Sequence, residues 1–267
     1  MDIFSLTNKT AIVTGACGLL GKQHCAALAE AGANVVVADI NEELCKTVAS
    51  ALDGNHFAVG FDVTSPESIE QAKQRIMEKY GRIDILVNNA AINDMFENPA
   101  LAGQQSIFEN YPLDMWDKSW KVNVSGVFLC SQIFGKVMAE NGGGSIINIA
   151  STYGIVAPDQ NIYKNEAGEQ TFYKSPSYPV TKSAVIGFTK FLASYWGTKN
   201  IRVNSLSPGG VENNQDEFFK NNYANKTLLH RMASPTDYKG AIVFLASSAS
   251  AYMTGANLVV DGGWTAI

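Results

Sequence analysis

The chain has 267 residues, 46% of them apolar and 17% charged, with a net charge of −5 and a pI of about 5.3, which is enough for one large α/β domain or two small ones. No basic patch offers a nucleic-acid surface, no window nears the ~18 uninterrupted apolar residues of a membrane helix, and residues 1–8 lack the basic n-region of a secretory signal. Cys17, Cys25, Cys45 and Cys130 show no C-x-x-C spacing and read as reduced thiols, so the expectation is a cytoplasmic protein without nucleic-acid, membrane or metal partners.

Thr10 to Thr14 is a short apolar run that meets a glycine turn. Leu19 to Ala31 carries helical spacing, with Leu20, Ala27, Leu28 and Ala31 apolar, and ends at Gly32. Asn34 to Ile40 is a second β run, and Phe57 to Phe61 a third. Pro66 to Tyr80 reads as a helix with proline in its first turn, and Ile83 to Val87 as a fourth strand. Continuous apolar strands alternating with helices predict an α/β fold with a parallel sheet covered on both faces.

Between the first strand and helix lies Thr14-Gly15-Ala16-Cys17-Gly18-Leu19-Leu20-Gly21. Glycines there let the backbone approach a pyrophosphate, and the helix N-terminus offers free amides and a positive dipole end. The strand-loop-helix context supports dinucleotide binding. Asp39 ends the second strand, 24 residues after Gly15. Its carboxylate can accept both ribose hydroxyls of the adenosine and would repel a 2′-phosphate. Neither Ile40 nor the glycine loop supplies a cation to welcome that phosphate, which favours NAD over NADP. Asp39 could instead serve a helix N-terminus, a task Asn41, Glu42 and Glu43 could also perform. Asp62, followed by Val63, can hold the adenine amino group or act as a turn residue.

Trp116 to Ala139 reads as a long helix containing Asn123, whose buried amide must be satisfied. Ser145 to Ala150 is the fifth strand, with Ser151 just past the end where open parallel sheets bind ligands. A hydroxyl there can hydrogen-bond a carbonyl oxygen, although a strand-end serine is often turn chemistry. Thr152 and Tyr153 are its neighbours.

Tyr178-Pro179-Val180-Thr181-Lys182 sets a tyrosine and a lysine on one face of a helix. A nearby ammonium favours the phenolate, so Lys182 is expected to lower the Tyr178 pKa from near ~10 towards working pH. Such a pair suits alcohol and ketone chemistry. Pro179 reads as helix position N1, with Tyr178 at the N-cap edge. Tyr195 and Lys199 repeat the spacing, but lie roughly 25 Å along the same helix and about 100° round it, which implies a surface or interface position. Pro235 to Ser248 reads as a further helix and Asn257 to Val260 as the last strand.

The glycine loop, Asn88-Asn89-Ala90-Ala91, Ser151, Tyr178 and Lys182, Ser207-Pro208-Gly209-Gly210 after a sixth strand, and the terminal Thr254 to Gly263 stretch occur in an order that resembles the short-chain dehydrogenase/reductase family, from about Lys9 to Gly263. Length and C-terminus fit its shorter, single-domain branch, which implies a single α/β domain over residues 1–267: a Rossmann-like, doubly wound parallel sheet of about seven strands with helices on both faces. The resemblance implies NAD-dependent hydride transfer. Tyr178 would take the alcohol proton, Ser151 would stabilise the developing carbonyl oxygen, and Lys182 would also bind the nicotinamide ribose. Asn123 would hold a water in a proton relay to the lysine. Asn89, Ala90, Ala91, Pro208, Gly209 and Val211 would line the cofactor. The resemblance further implies a homo-oligomer, a tetramer, contacted through Asp261-Gly262-Gly263-Trp264. An exposed Trp264 would fit that interface; a core tryptophan is the plain alternative.

Departures are visible. Leu19 and Ala91 stand where the branch usually has glycine, and the Gly15, Gly18, Gly21 spacing is that of the longer, nucleotide-sugar-modifying branch, whose substrate domain this length does not accommodate. Asn213 lies near the place of a threonine that usually touches the carboxamide.

Insertions near 92–113 and 157–177 and a lid near 212–231 flank the expected cleft. They carry Asn93, Asp94, Phe96, Gln104 and Gln105; Asn161, Tyr163, Lys164, Asn165, Glu166, Gln170, Tyr173 and Lys174; and Asn213, Asn214, Phe218, Phe219, Asn221 and Asn222. Long loops at an active edge are usually functional or disordered. Their amides and hydroxyls suggest a small hydroxy or keto substrate such as a sugar, in agreement with a looser resemblance to oxidoreductases of flagellin glycan modification; subunit contact is the competing role. A catalytically silent NAD-bound sensor or scaffold on the same fold is the alternative function, which the set Asn123, Ser151, Tyr178 and Lys182 argues against. A sugar epimerase or dehydratase would need a substrate domain.

Overall fold

The computed structural model describes residues 2–93 and 103–267; Asp94 and Phe96 of the first insertion lie outside them. The sheet holds β1 (Thr10–Thr14), β2 (Asn34–Asp39), β3 (Phe57–Gly60), β4 (Ile85–Asn88), β5 (Gly144–Ile149), β6 (Ile201–Pro208) and β7 (Asn257–Val260). Its order is β3-β2-β1-β4-β5-β6-β7, and every pairing is parallel. The expected doubly wound seven-stranded sheet is therefore present, and the strand order reverses between β1 and β4.

Side chains alternate across a strand, and this divides the core in two. Ile12, Leu86 and Ile146 face α3 (Pro66–Tyr80) and the later helices α5 (Gly126–Glu140) and α6 (Ser177–Trp196). Their neighbours Val13, Val87 and Ile147 face α1 (Leu19–Glu30) and the helix Lys239–Ala246 on the other side. With both faces covered, the strands are apolar throughout, which is why they read as continuous runs.

Local signals set the helix ends. The Ser65 hydroxyl accepts the Ser68 N–H, Pro66 opens α3, and Gly81 at φ 68° closes it in the left-handed region. Asn41 caps α2 (Glu42–Ser50) by accepting from Glu43 and Leu44, with Glu42 and Glu43 in the first turn. The dipole of α2 is thus served without Asp39.

Several boundaries differ from expectation. The long helix begins earlier, as α4 (Leu113–Trp120), and widens into a π turn over Lys121–Ser125 before α5. By length and apolarity the 113–140 helix could cross a membrane, but half of it is buried and it packs as a core helix. Ser207 and Pro208 end β6 rather than follow it. α6 starts at Ser177, so Tyr178 lies inside the first turn and Pro179 one residue further on, where a missing N–H costs no helical bond. Trp264 is buried against Tyr153 and Tyr223, the core alternative. Tyr195 is exposed and stacks on Phe191.

The helix α6 is fixed by a buried polar chain. Asn88 donates to Ser131 and to Asn148, and Asn148 donates to Thr189 of α6. Alongside it α5 and α6 meet closely at Gly135, where a Cβ would lie 2.3 Å from the Trp196 ring. Gly135→Ala should therefore destabilise the fold by roughly 1–3 kcal/mol through overpacking. Urea denaturation checks this, and an unchanged midpoint would refute the close fit.

Candidate active site

The glycine loop is shaped by contacts that leave no room for side chains. Gly15 has φ 60°, and a Cβ there would lie 2.7 Å from Ala90 Cα; a Cβ on Gly21 would lie 2.2 Å from the Gly15 carbonyl oxygen. The Thr14 hydroxyl accepts the N–H groups of Asn89 and Ala90 at 3.0 and 3.1 Å. The Asn89 amide donates back to the carbonyls of Thr14 and Gly15, both at 2.9 Å.

This loop and the N-terminus of α1 border a cavity of about 500 Å³. Of the predicted cofactor residues, Gly15, Gly18, Leu19, Leu20 and Gly21 line it from the loop, Asp39, Ile40, Asp62 and Val63 from the ends of β2 and β3, and Asn89, Ala90 and Ala91 from the end of β4. Cys17 does not: its thiol turns back to Cys45 Sγ at 3.8 Å, and burial, then Asp39, raises its pKa. The Asp39 carboxylate accepts the Cys17 N–H at 3.1 Å and the Ile40 N–H at 2.8 Å, tying the end of β2 to the loop. Asp62 accepts the Thr64 N–H at 2.8 Å, so the turn role is real and coexists with its place on the cavity. Lys118 and Val122 also line this cavity; no local pattern marks them, because only the packing of α4 brings them there.

A second cavity of about 290 Å³ contains Ser151, Tyr178, Lys182, Pro208, Gly209 and Val211. It shares Leu19, Leu20, Asn89 and Ala91 with the first. The two form one groove over the C-terminal ends of β1 and β4, the switch point at which open α/β sheets bind ligands.

Three predicted catalytic groups meet here. Ser151 hydrogen-bonds the Tyr178 phenol and accepts the Tyr153 N–H at 3.1 Å. Lys182 is buried, its ammonium donates to the Ile149 carbonyl at 2.7 Å, and it stands 5.7 Å from the centre of the Tyr178 ring. Burial lowers the Lys182 pKa to about 8. Burial also raises Tyr178, and the Ser151 hydrogen bond is what opposes it. The expected depression of the phenol by Lys182 is therefore not what dominates: desolvation disfavours both charges, holding the phenol above and the ammonium below their ordinary values.

Asn123 sits in the π turn, a distortion common at functional sites. Its side chain clamps the loop beyond β4, accepting the Ile92 N–H at 2.8 Å and donating to the Ile92 carbonyl at 3.0 Å. It also donates to Thr181 at 3.2 Å, one residue before Lys182.

The insertions contribute fewer polar groups than their composition implies. Asn93, Tyr163, Lys174 and Asn213 line the second cavity, as do Gln215, Phe219, Tyr223 and Met232 of the lid region. Gln215, Tyr223 and Met232 were not singled out by sequence, since nothing local separates them from their neighbours. Gln104, Gln105, Asn161 and Glu166 are exposed, and Asn165 bonds Glu169 within its own turn. Tyr163 packs against Phe172 and Phe219, and its hydroxyl meets that of Tyr153 at 3.2 Å. Burial pushes Tyr153 up to about 12 and Tyr163 well above its ordinary value, so both remain hydrogen-bonding phenols.

A family model described as enoyl-(acyl carrier protein) reductase matches residues 15–265. The chain is 36% identical to a D-threitol dehydrogenase of Mycolicibacterium smegmatis, over 98% of this chain and 95% of the relative. It is 33% identical to an NAD-dependent glycerol dehydrogenase of Listeria innocua, over 98% and 96%. Hydroxysteroid dehydrogenases of mycobacteria match at 36% identity. Among solved structures, a gluconate 5-dehydrogenase from Burkholderia cenocepacia in complex with NADP and tartrate superposes with a TM-score of 0.85 at 31% identity, covering 100% of this chain and 98% of the other.

The buried Lys182 has a consequence for stability. With its pKa lowered from 10.5 to about 8, the folded state loses this proton near pH 8 while the unfolded chain keeps it to near 10.5. Between those values the unfolded state binds more protons, so stability rises with pH. Wild type should gain up to about 3 kcal/mol over Lys182→Met across that window. Denaturant unfolding of the pair at several pH values checks this; a constant difference would contradict it.

Proposed function

The chain belongs to the short-chain dehydrogenase/reductase family, an enzyme acting on CH–OH groups, and on that premise we propose that it is an NAD-dependent dehydrogenase of a polyol or sugar derivative. The single observation that carries the proposal is the continuous groove from Asp39, past the N-terminus of α1, to Ser151 and Tyr178.

The groove fits a dinucleotide. Backbone at Gly15 and Gly21 is packed so that no Cβ could be added, which keeps the loop surface low enough for a pyrophosphate to reach the α1 amides. Asp39 spends one contact of each carboxylate oxygen on backbone N–H groups. Each oxygen has further accepting capacity for ribose hydroxyls, and the charge disfavours a 2′-phosphate. The bound nicotinamide supplies the hydride acceptor or donor. In oxidation Tyr178 receives the hydroxyl proton of the substrate, and Ser151 donates to the developing carbonyl oxygen. Lys182, held by Ile149, steadies the phenolate when charged. Asn123 acts through position: by clamping Ile92 and Thr181 it fixes both the loop after β4 and the turn of α6 that carries Lys182.

A polyol or sugar derivative is supported by the polar side chains among the cavity's lining, Asn93, Tyr153, Tyr163, Asn213 and Gln215. Its volume of about 290 Å³ lies at the small end for ligand sites, which favours a short hydroxylated molecule over a steroid. The dehydrogenases of threitol and glycerol among the relatives point the same way. A homo-oligomer belongs to the same proposal. The exposed aromatic row Phe128, Phe191 and Tyr195 on α5 and α6 offers it a contact surface.

Tyr178→Phe should retain NAD binding and lose turnover by about 10²–10⁴-fold. Near wild-type rates would remove the acid-base assignment and leave the silent-sensor alternative standing. NAD should bind more tightly than NADP in fluorescence titrations, and equal affinities would defeat the role given to Asp39. A screen of polyols and sugar phosphates with NAD, read by absorbance of the reduced cofactor, tests the substrate class.

A further inference from the structure

The second insertion builds a mount for one buried cation. Gln160 holds the Lys174 backbone on both sides: its side-chain oxygen accepts the Lys174 N–H at 2.9 Å, and its amide nitrogen donates to the Lys174 carbonyl at 3.4 Å. Gln160 is in turn gripped by Gln170, which donates to the carbonyls of Gln160 and Phe172 at 2.9 and 2.8 Å. The adjacent Tyr173 N–H is bonded at 2.9 Å to Ser106, a buried residue of the first insertion. Both insertions thereby fix the stretch that enters α6.

The side chain this mount presents is buried, with only 7% of the residue exposed. Its ammonium donates to Asn93 Oδ1 at 2.7 Å and lies over the Tyr178 ring, 4.5 Å from the centre. That is nearer than Lys182, at 5.7 Å. Among the described residues, the titratable groups around Tyr178 are Lys182 on its own helix, Lys174 and Tyr163 from the insertion, and Tyr153 beyond β5. The two ammonium groups are the cations in that set.

We propose that Lys174 is a positioning residue for the reaction: a second cation that stabilises the Tyr178 phenolate through the ring face. This rests on Tyr178 being the acid-base group. A cation over a neutral ring is held by the ring quadrupole. Deprotonation spreads a full negative charge over the same ring, so the attraction grows in the state that must accept the proton. The need is plain in the buried site, where Lys182 is half-neutral near pH 8 and cannot carry the charge alone at higher pH. The insertion thus shapes the chemistry as well as the substrate cavity.

The test is a spectrophotometric titration of phenolate absorbance on the NAD-bound protein, taken as the difference between each protein and the same protein carrying Tyr178→Phe. Lys174→Gln, which keeps a polar partner for Asn93, should move the Tyr178 midpoint up by about one pH unit, a tenfold loss of phenolate at a fixed pH. Lys174→Arg should leave it close to wild type, and Lys174→Met should repeat the glutamine result. The acidic limb of kcat for D-threitol oxidation should shift in parallel. An unmoved midpoint overturns the proposal, whether turnover falls uniformly or only KM rises, because a structural or substrate-binding lysine would act in those ways. The titration needs no turnover, so near wild-type rates in Tyr178→Phe would sink the acid-base reading separately.

Discussion

The site depends on how the sheet is held where β1 and β4 part. Four hydrogen bonds staple that point: the Thr14 hydroxyl accepts the N–H groups of Asn89 and Ala90, and the Asn89 amide donates to the carbonyls of Thr14 and Gly15. Connections that leave these adjacent parallel strands in opposite directions open a crevice, and unsatisfied backbone groups at its floor would be costly. The staple satisfies them and fixes the glycine turn against the end of β4. Gly15 must then adopt positive φ directly over Ala90, and Gly21 must lie against the Gly15 carbonyl. The free amides of α1 are aimed by this constraint, not by the helix alone.

The same crevice continues into a region where burial governs charge. Lys182 and Tyr178 are both penalised for ionising, and their remaining polar contacts are to Ile149 and Ser151. Both groups therefore favour their neutral forms, and ionising the phenol calls for compensation by a neighbouring charge. Thr152, whose hydroxyl donates to the Pro208 carbonyl at 3.0 Å, joins the ends of β5 and β6. That bond keeps Ser151 at the edge of the groove.

What could be read from the sequence was whatever is encoded locally. Pro66 marks the first turn of α3, and the helix spans the expected Pro66–Tyr80. The glycine turn between an apolar run and a helix carried the dinucleotide reading by itself. The π turn at Lys121–Ser125 was not legible, because its setting is tertiary: Asn123 is clamped to Ile92, 31 residues away. Spacing shows the proximity of Tyr178 and Lys182 but not the desolvation that governs their charge states. The loops were overread for a related reason. Composition made Asn161, Asn165 and Glu166 look like substrate contacts, whereas they face solvent or close their own turns. Trp264 shows the reverse case, an aromatic near the chain end that is buried against Tyr153 and Tyr223.

The insertions are best understood by what their hydrogen bonds restrain. Free loops of this length would bring ordering entropy to each substrate encounter. Here Gln160 and Gln170 replace backbone pairing inside the second insertion, Ser106 links it to the first, and Tyr163 anchors it to Phe219 of the lid. The ordering is met in the folded chain before any ligand arrives. Among the described residues, Tyr163 and Lys174 of the second insertion therefore reach the cavity from backbone that the folded chain already restrains. The cost falls on the approach to Tyr178, where the mount and the catalytic helix share one stretch of backbone. On the proposed reading, a change in that wall is also a change in the surroundings of Tyr178, because Lys174 lies on the mount and over the Tyr178 ring.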